Sequence, residues 1–112
     1  MVAHRFVTEM GMGTDVHGGD YTKAARRAVS DAIRHSSLHF FKPLGLTAQD
    51  MQIRVKIGVA QPEAVDRKAV AAELPYGRVT VEVERGGLDA PTDSGEPIVI
   101  AVAAVMVFLE MS

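Results

Sequence analysis

A glycine-rich junction at residues 11–20, GMGTDVHGGD, joins a strand pattern to the strongest helical pattern in the chain. Residues 5–10 alternate as a strand does, and apolar side chains then recur every three to four residues over 21–38. Asp20 stands where a helix N-cap is expected. Because the apolar stripe of this helix consists mainly of alanine, we expect the helix to lie close against a sheet.

The later segments carry alternating strand and helix patterns. They predict a strand over 51–59, a helix over 62–74, a strand over 78–84, a long loop over 86–97 and a final strand over 98–110. The order β-α-β-α-β-β requires a right-handed crossover and predicts a mixed four-stranded sheet with two helices on one face. This α+β architecture resembles that of Bacillus chorismate mutase. A length of 112 residues predicts a single domain, 1–112.

Composition excludes several classes of protein. A net charge of -2 gives no basic field for nucleic acid. The apolar run over 98–109 has about 12 residues against the ~20 of a membrane helix, so we expect no membrane partner. The last strand is apolar on both faces, which predicts that it is central in the sheet or covered by a partner. The absence of cysteine and of a signal-type amino terminus predicts a cytoplasmic protein.

Two potential metal ligands stand in the junction. In extended backbone Asp15 and His17 leave the same side, roughly 6.5 Å apart at Cα. Zinc accepts both residue types but normally takes three protein ligands in a catalytic site. Glu9, Asp20, an acid of the 86–97 loop or a neighbouring subunit could supply the third. A divalent metal here, zinc as the first expectation, would polarise a phosphate or carbonyl oxygen, with Glu9 as the nearest catalytic base.

Two other interpretations of the junction stay open. Asp15 and His17 could instead hydrogen-bond to loop amides and to each other, which would shape a tight turn without a ligand. Alternatively, glycine-rich backbone before a helix could capture an anion such as phosphate. The residues predicted to bind that anion are Gly11, Gly13, Gly18, Gly19, Lys23 and Arg27.

The spacing Gly11-x-Gly13-x-Asp15-x-His17-Gly18 resembles the G-x-G-x-D-x-H-G signature of a conserved hypothetical family of bacteria and plants. The helix that follows and the remainder of the chain also resemble that family. The family carries no assigned activity, so this resemblance implies a shared fold rather than a reaction.

A weaker resemblance involves the segment Gly13–His17, which is similar to the metal loop of methylerythritol cyclodiphosphate synthase. In that enzyme the Asp and His of an Asp-Val-His tripeptide bind zinc beside a third ligand from the following helix. Alignment of the helices puts that third ligand at Arg27, and arginine cannot ligate zinc. The synthase is a trimer, so the resemblance implies a homo-oligomer, with a trimer as the first expectation.

Together these patterns predict a small oligomeric protein with a metal- or phosphate-type small-molecule site at residues 11–20, near a subunit interface. The alternative is a non-catalytic metabolite-binding or regulatory protein that uses the same pocket for a small anionic metabolite. The residues leave open whether the protein is an enzyme.

Overall fold

The computed structural model describes residues 2–34, 51–74 and 77–111. In chain order the elements are β1 (Val2–Asp15), α1 (Tyr21–Arg34), β2 (Met51–Val59), a 3-10 turn (Pro62–Ala64), α2 (Arg67–Ala71), β3 (Arg78–Arg85), β4 (Leu88–Ala90) and β5 (Ile98–Met111). The described helices include none that is long and apolar enough to cross a membrane.

The strands form one mixed sheet in the order β1-β5-β2-β3. β5 runs antiparallel to both β1 and β2, whereas β2 and β3 are parallel. The predicted α+β fold with a mixed sheet is therefore confirmed, and so is the central position of the apolar last strand. β5 is central because β1 pairs with one of its edges and β2 with the other.

The sheet has a fifth strand within the predicted 86–97 loop. β4 pairs with residues 98–100 of β5, on the side that β2 leaves free. β5 is 14 residues long, but its pairing with β2 ends at Val102 of β5. The residues of β5 before Val102 therefore have backbone groups on that side that β2 does not pair. β4 satisfies them, which the polar composition of the loop did not indicate.

Both helices pack on one face of the sheet, here called the inner face, as predicted. The opposite face is called the outer face. Alternate residues of β2 and β5 point inward and are fully or almost fully buried. The strand members of this core are Met51, Ile53, Val55, Ile57, Val59, Val99, Ala101, Ala103, Val105, Val107 and Leu109. α1 contributes mainly alanines to the core, with Val29 and Tyr21.

Two predicted boundaries differ from the structure. β1 continues through residues 11–15, because their backbone pairs with β5 as far as Val99. The predicted helix over 62–74 is interrupted at Val65, whose backbone is extended; Asp66 then caps α2 by accepting hydrogen bonds from the amides of Lys68 and Ala69. The predicted end of α1 at Leu38, the surface histidines His35 and His39 and the 39–50 connection lie outside the described residues.

Candidate functional site

Gly11 and Gly13 lie in β1 beneath α1, not in a loop. A Cβ on Gly13 would stand 2.3 Å from the Ala28 nitrogen and 2.4 Å from the Ala24 oxygen, and one on Gly11 would stand 2.2 Å from the Ala28 oxygen. Backbone therefore touches backbone between the strand and the helix. The first half of the motif is explained by helix packing, and glycine is required because no side chain fits between the two elements.

Asp15 ends β1 and is 2% exposed. Its Oδ2 accepts a 2.8 Å hydrogen bond from the Asp20 amide. Its Oδ1 lies 3.7 Å from the Arg27 guanidinium and 3.8 Å from the Lys23 ammonium. The predicted hydrogen bond in which Asp15 accepts from a loop amide is therefore present, and two cations on the next helix compensate the buried charge.

The remaining motif residues connect Asp15 to α1. Gly18 and Gly19 have φ of +89° and +60°, a conformation that favours glycine. The Gly18 amide donates a 3.1 Å hydrogen bond to Oε2 of Glu96, so an acid from the 86–97 loop does reach the junction. His17 is exposed. Among the described residues no group of three or more His, Asp or Glu side chains is placed to hold a metal ion.

Asp20 forms the N-cap that the sequence predicted. Its Oδ1 accepts a 3.0 Å hydrogen bond from the Lys23 amide, and its carbonyl accepts from the Ala24 amide. The cap orients the first turn of α1 so that Lys23 and Arg27 face Asp15.

The other predicted site residues lie in two places. Glu9 is on β1 six residues before Asp15, roughly 20 Å away along the strand, so the fold does not bring it to the junction. Arg27 donates a 2.7 Å hydrogen bond to the Thr14 carbonyl in addition to its contact with Asp15. Lys23 and Arg27 border a polar cleft of about 260 Å³, together with Arg26, Ser30 and Glu73.

Sequence reasoning missed the pair formed by Tyr21 and Asp89. Asp15 on β1 and Asp89 on β4 both lie opposite Val99, on its two sides, so the two carboxylates flank β5 beneath the start of α1. The Tyr21 hydroxyl donates a hydrogen bond to Oδ2 of Asp89. Oδ1 of Asp89 is buried and has no hydrogen-bond partner among the described residues. The length of the 86–97 loop was the available signal.

The bond to Asp89 also changes the acidity of Tyr21. The hydrogen bond to the Asp89 carboxylate, burial, and the negative charges of Asp89 and Glu63 together raise the pKa of Tyr21 from 10.0 to about 12. Tyr21 therefore stays protonated and donates its hydroxyl hydrogen throughout the neutral and mildly alkaline range.

A second concave region, here called the outer trough, lies on the outer face and has a volume of about 630 Å³. It runs from β1 across β5 and β2 to the end of β3. Its apolar part is formed by the side chains of Met10, Met12 and Val102, which are 71%, 59% and 44% exposed, with Gly58, Gly86 and Ala104 nearby. Lys56, Glu84, Arg85 and Asp31 supply its charged groups.

The two cations of β2 on the outer face have different neighbours across the strands. Lys56 lies opposite Glu82, but Arg54 lies opposite Thr80 and stacks on the Phe108 ring at 4.9 Å. In the part of the chain that the structure describes, neither Lys56 nor Arg85 forms an ion pair within 4.0 Å. The outer trough therefore offers two exposed cations beside an apolar surface.

Asp31 adds little negative charge to the outer trough. Its Oδ2 accepts a 3.0 Å hydrogen bond from the Met12 amide, and its Oδ1 lies 3.3 Å from the Arg34 guanidinium. The charged groups left to face a ligand are Lys56, Arg85 and Glu84, whose sum is positive.

Comparisons with known proteins place the chain in a family. A crystal structure of an FtsZ-like protein of unknown function from Nostoc punctiforme PCC 73102 is 40% identical, covers 99% of each chain and superposes with a TM-score of 0.87. No curated protein matches. The model of the conserved hypothetical protein family Lin0512 matches residues 5–107. The predicted membership of a conserved hypothetical family is therefore confirmed, and the chain belongs to the Lin0512 family.

Proposed function

We propose that this protein binds a small organic anion with an apolar body in the outer trough. The observation that carries the proposal is the placement of two cations without ion pairs among the described residues, Lys56 and Arg85, beside an apolar surface. A volume of about 630 Å³ lies within the range of about 300–1,000 Å³ that small-molecule sites occupy.

The apolar part of the outer trough favours a ligand with a hydrocarbon portion. Met10, Met12 and Val102 are large apolar side chains that remain exposed side by side on β1 and β5. Exposed apolar side chains grouped in this way are typical of binding surfaces, and methionine adapts its shape to different ligands. A ligand that covers them gains the free energy of apolar burial.

The charged part favours a carboxylate or phosphate group on the same ligand. Lys56 extends from the middle of the outer face, and Arg85 stands where β3 ends. Hydrogen bonds between an ionised donor and an ionised acceptor are about twice as strong as neutral ones. Glu84 opposes a second negative group, so a ligand with one anionic end fits the outer trough better than a polyanion.

Octanoate is a suitable probe because the contributions of its hydrocarbon chain and of its carboxylate can be measured separately. We expect isothermal titration calorimetry to show octanoate binding with one site per chain, and much weaker binding of acetate, which lacks the chain, and of 1-octanol, which lacks the charge. Octanoate should also raise the melting temperature, because a ligand that binds only the folded state stabilises it.

A pair of double variants tests the place of binding. Lys56→Gln with Arg85→Gln should weaken octanoate binding about tenfold or more, since each charged contact contributes on the order of 1.5–3 kcal/mol. Arg67→Gln with Lys68→Gln removes the same net charge from α2 and should leave the affinity unchanged. Equal affinity in the two double variants, or no octanoate binding to the wild type, would contradict the proposal.

A divalent metal at the junction is a second candidate, as the sequence predicted from Asp15 and His17. The observation that favours it is the approach of Glu96, whose carboxylate bonds to the Gly18 amide next to His17. Asp15 already contacts Lys23, Arg27 and the Asp20 amide, so a metal would have to displace those cations. Zinc, with His17 and Glu96 as ligands, is the ion to test first.

Metal content per chain separates this candidate from the first. We expect near-stoichiometric zinc in untagged wild-type protein purified without chelator, and its loss in His17→Ala. His17 is exposed, so this variant should keep the wild-type stability. Wild-type protein that stays free of zinc after incubation with the ion would refute the metal site and leave the octanoate experiment unaffected.

A further inference from the structure

β3 is a sheet edge that other described residues leave open. It pairs with β2 over Arg78–Arg85, and in the strand order it stands at the end of the sheet. Half of its backbone N–H and C=O groups therefore point away from the sheet. An edge of this kind is a template on which another strand can pair.

The two edges of the sheet differ in how they are protected. On β1 the Asp31 carboxylate accepts the Met12 amide hydrogen and so occupies a backbone donor at the edge. β3 has eight residues without proline, and its register with β2 is unbroken, so it carries no bulge. Natural edge strands use proline, bulges, short length or charged side chains to prevent pairing. β3 lacks the first three, and its charged side chains are of both signs, so they allow pairing in a register that places opposite charges together.

The inward side chains of β3 are incompletely covered. Val79, Val81 and Val83 pack against the core but remain partly exposed. α2, which contacts β3, has only five residues. A strand added beyond β3 would cover these valines and would bury apolar surface that the single chain leaves in water.

We propose that β3 pairs antiparallel with β3 of a second copy across a two-fold axis at Val81. In this register Arg78 of each copy lies opposite Glu84 of the other, and Thr80 lies opposite Glu82. The Val81 residues of the two copies lie opposite each other. Opposite charges directly across a strand pair are stabilising and like charges are destabilising, so the two Arg78–Glu84 pairs favour this register.

Neighbouring registers are less favourable. An axis at Glu82 places that carboxylate opposite its own copy, which is repulsive. An axis at Thr80 pairs Arg78 with Glu82 but removes Glu84 from the ladder. The axis at Val81 combines the two Arg78–Glu84 pairs with valine-to-valine contacts on the inner side. In this register the second copy also places an arginine beside Glu84, at the end of the outer trough.

Disulfide formation provides a direct test, because the chain has no cysteine. In the proposed dimer the two Val81 Cα atoms are about 4.5–5.5 Å apart, which suits a disulfide. The two Val83 positions are offset by four residues, or about 13 Å along the strand. Val81→Cys should form a covalent dimer under mild oxidation at least about tenfold faster than the matched control Val83→Cys. Equal rates, or no covalent dimer, would overturn the proposal.

Charge exchange provides a second test that does not depend on the cysteine variants. By analytical ultracentrifugation the wild type should have the mass of two chains. Arg78→Glu and Glu84→Arg should each raise the dimer dissociation constant about tenfold, and the double variant should restore it, because each single change creates two like-charge contacts. Arg67→Glu on α2 is the control and should not change the mass.

Three outcomes of the ultracentrifugation experiment would exclude the β3 dimer. A monomer at every concentration, a trimer as the synthase resemblance implies, or a double variant no tighter than the single ones would each refute it. The two tests remain separate, since the mass is measured without octanoate and the variants used for octanoate binding leave Arg78 and Glu84 unchanged.

Discussion

The two faces of β1 show opposite uses of adjacent residues. Gly11 and Gly13 face α1, where the helix backbone leaves no space for a side chain. Met10 and Met12 stand between and beside them on the outer face and are 71% and 59% exposed. The inner face is therefore closed by direct backbone contact, while the described residues leave the outer face of the same strand exposed.

The difference explains why a glycine-rich motif need not be a loop. In a loop, glycine is selected for its dihedral angles, as at Gly18 and Gly19, where φ is positive. In β1 the glycines have ordinary strand geometry and are selected for the absence of Cβ. The G-x-G-x-D-x-H-G pattern thus combines two packing positions, one buried carboxylate and a turn.

Of the substitutions on the two faces, Gly13→Ala should produce the largest change in the free energy of unfolding. The added methyl group would stand within 2.4 Å of backbone atoms of α1, which cannot move without shifting the helix. We expect the free energy of unfolding to fall by about 3 kcal/mol or more. Urea denaturation measures it, and Met12→Ala, one residue away on the outer face, is the matched control. A difference below about 1 kcal/mol between the variants would show that α1 is not held closely against β1.

Tyr21→Phe, a substitution on the inner face, should have an intermediate effect on the free energy of unfolding. The variant leaves Asp89 without its donor and should lower the free energy of unfolding by about 2 kcal/mol at pH 7. Since the folded pKa of about 12 is above the unfolded value of 10.0, the contribution of Tyr21 is complete below pH 10 and is lost as pH rises towards 12.

Comparison of the wild type with Tyr21→Phe isolates the contribution of the Tyr21 hydroxyl to the pH dependence of stability. Urea midpoints recorded between pH 9 and pH 11.5 should fall more steeply for the wild type than for Tyr21→Phe, so the two curves converge. Parallel curves would indicate that the hydroxyl does not donate to Asp89 in solution.

Met12→Ser should have the smallest effect on stability. The side chain is 59% exposed, so we expect the free energy of unfolding to change by no more than about 0.5 kcal/mol. The same variant should weaken octanoate binding by about threefold, because an apolar contact is lost on the outer trough. A large loss of stability would mean that the outer face is covered in the free protein.

Much of the fold could be predicted from local pattern. Apolar alternation located β2 and β3, a continuous apolar run located β5, and the alanine stripe located α1 against the sheet. β4 could not be predicted, because it exists only where β5 extends beyond β2. The interruption of the second helix at Val65 was likewise hidden, since the residues around it are compatible with a helix.

The candidate sites were less accessible to sequence reasoning. Asp15 and Glu96 both accept hydrogen bonds from backbone amides of the junction, whereas the metal that the motif indicated there stays a prediction. The Tyr21–Asp89 pair and the outer trough join residues separated by tens of positions. No local spacing brings such residues together.

The amino-acid pattern was sufficient to predict the class of fold, the central apolar strand, the cap at Asp20 and the close approach of an alanine-rich helix, because each depends on periodicity or on a local backbone bond. Tertiary packing placed the glycines of the motif in a strand, set Asp89 across β5 from Asp15, and left one face of the sheet uncovered by the residues that the structure describes. Those features depend on register and strand order, which are fixed by the packing of distant segments.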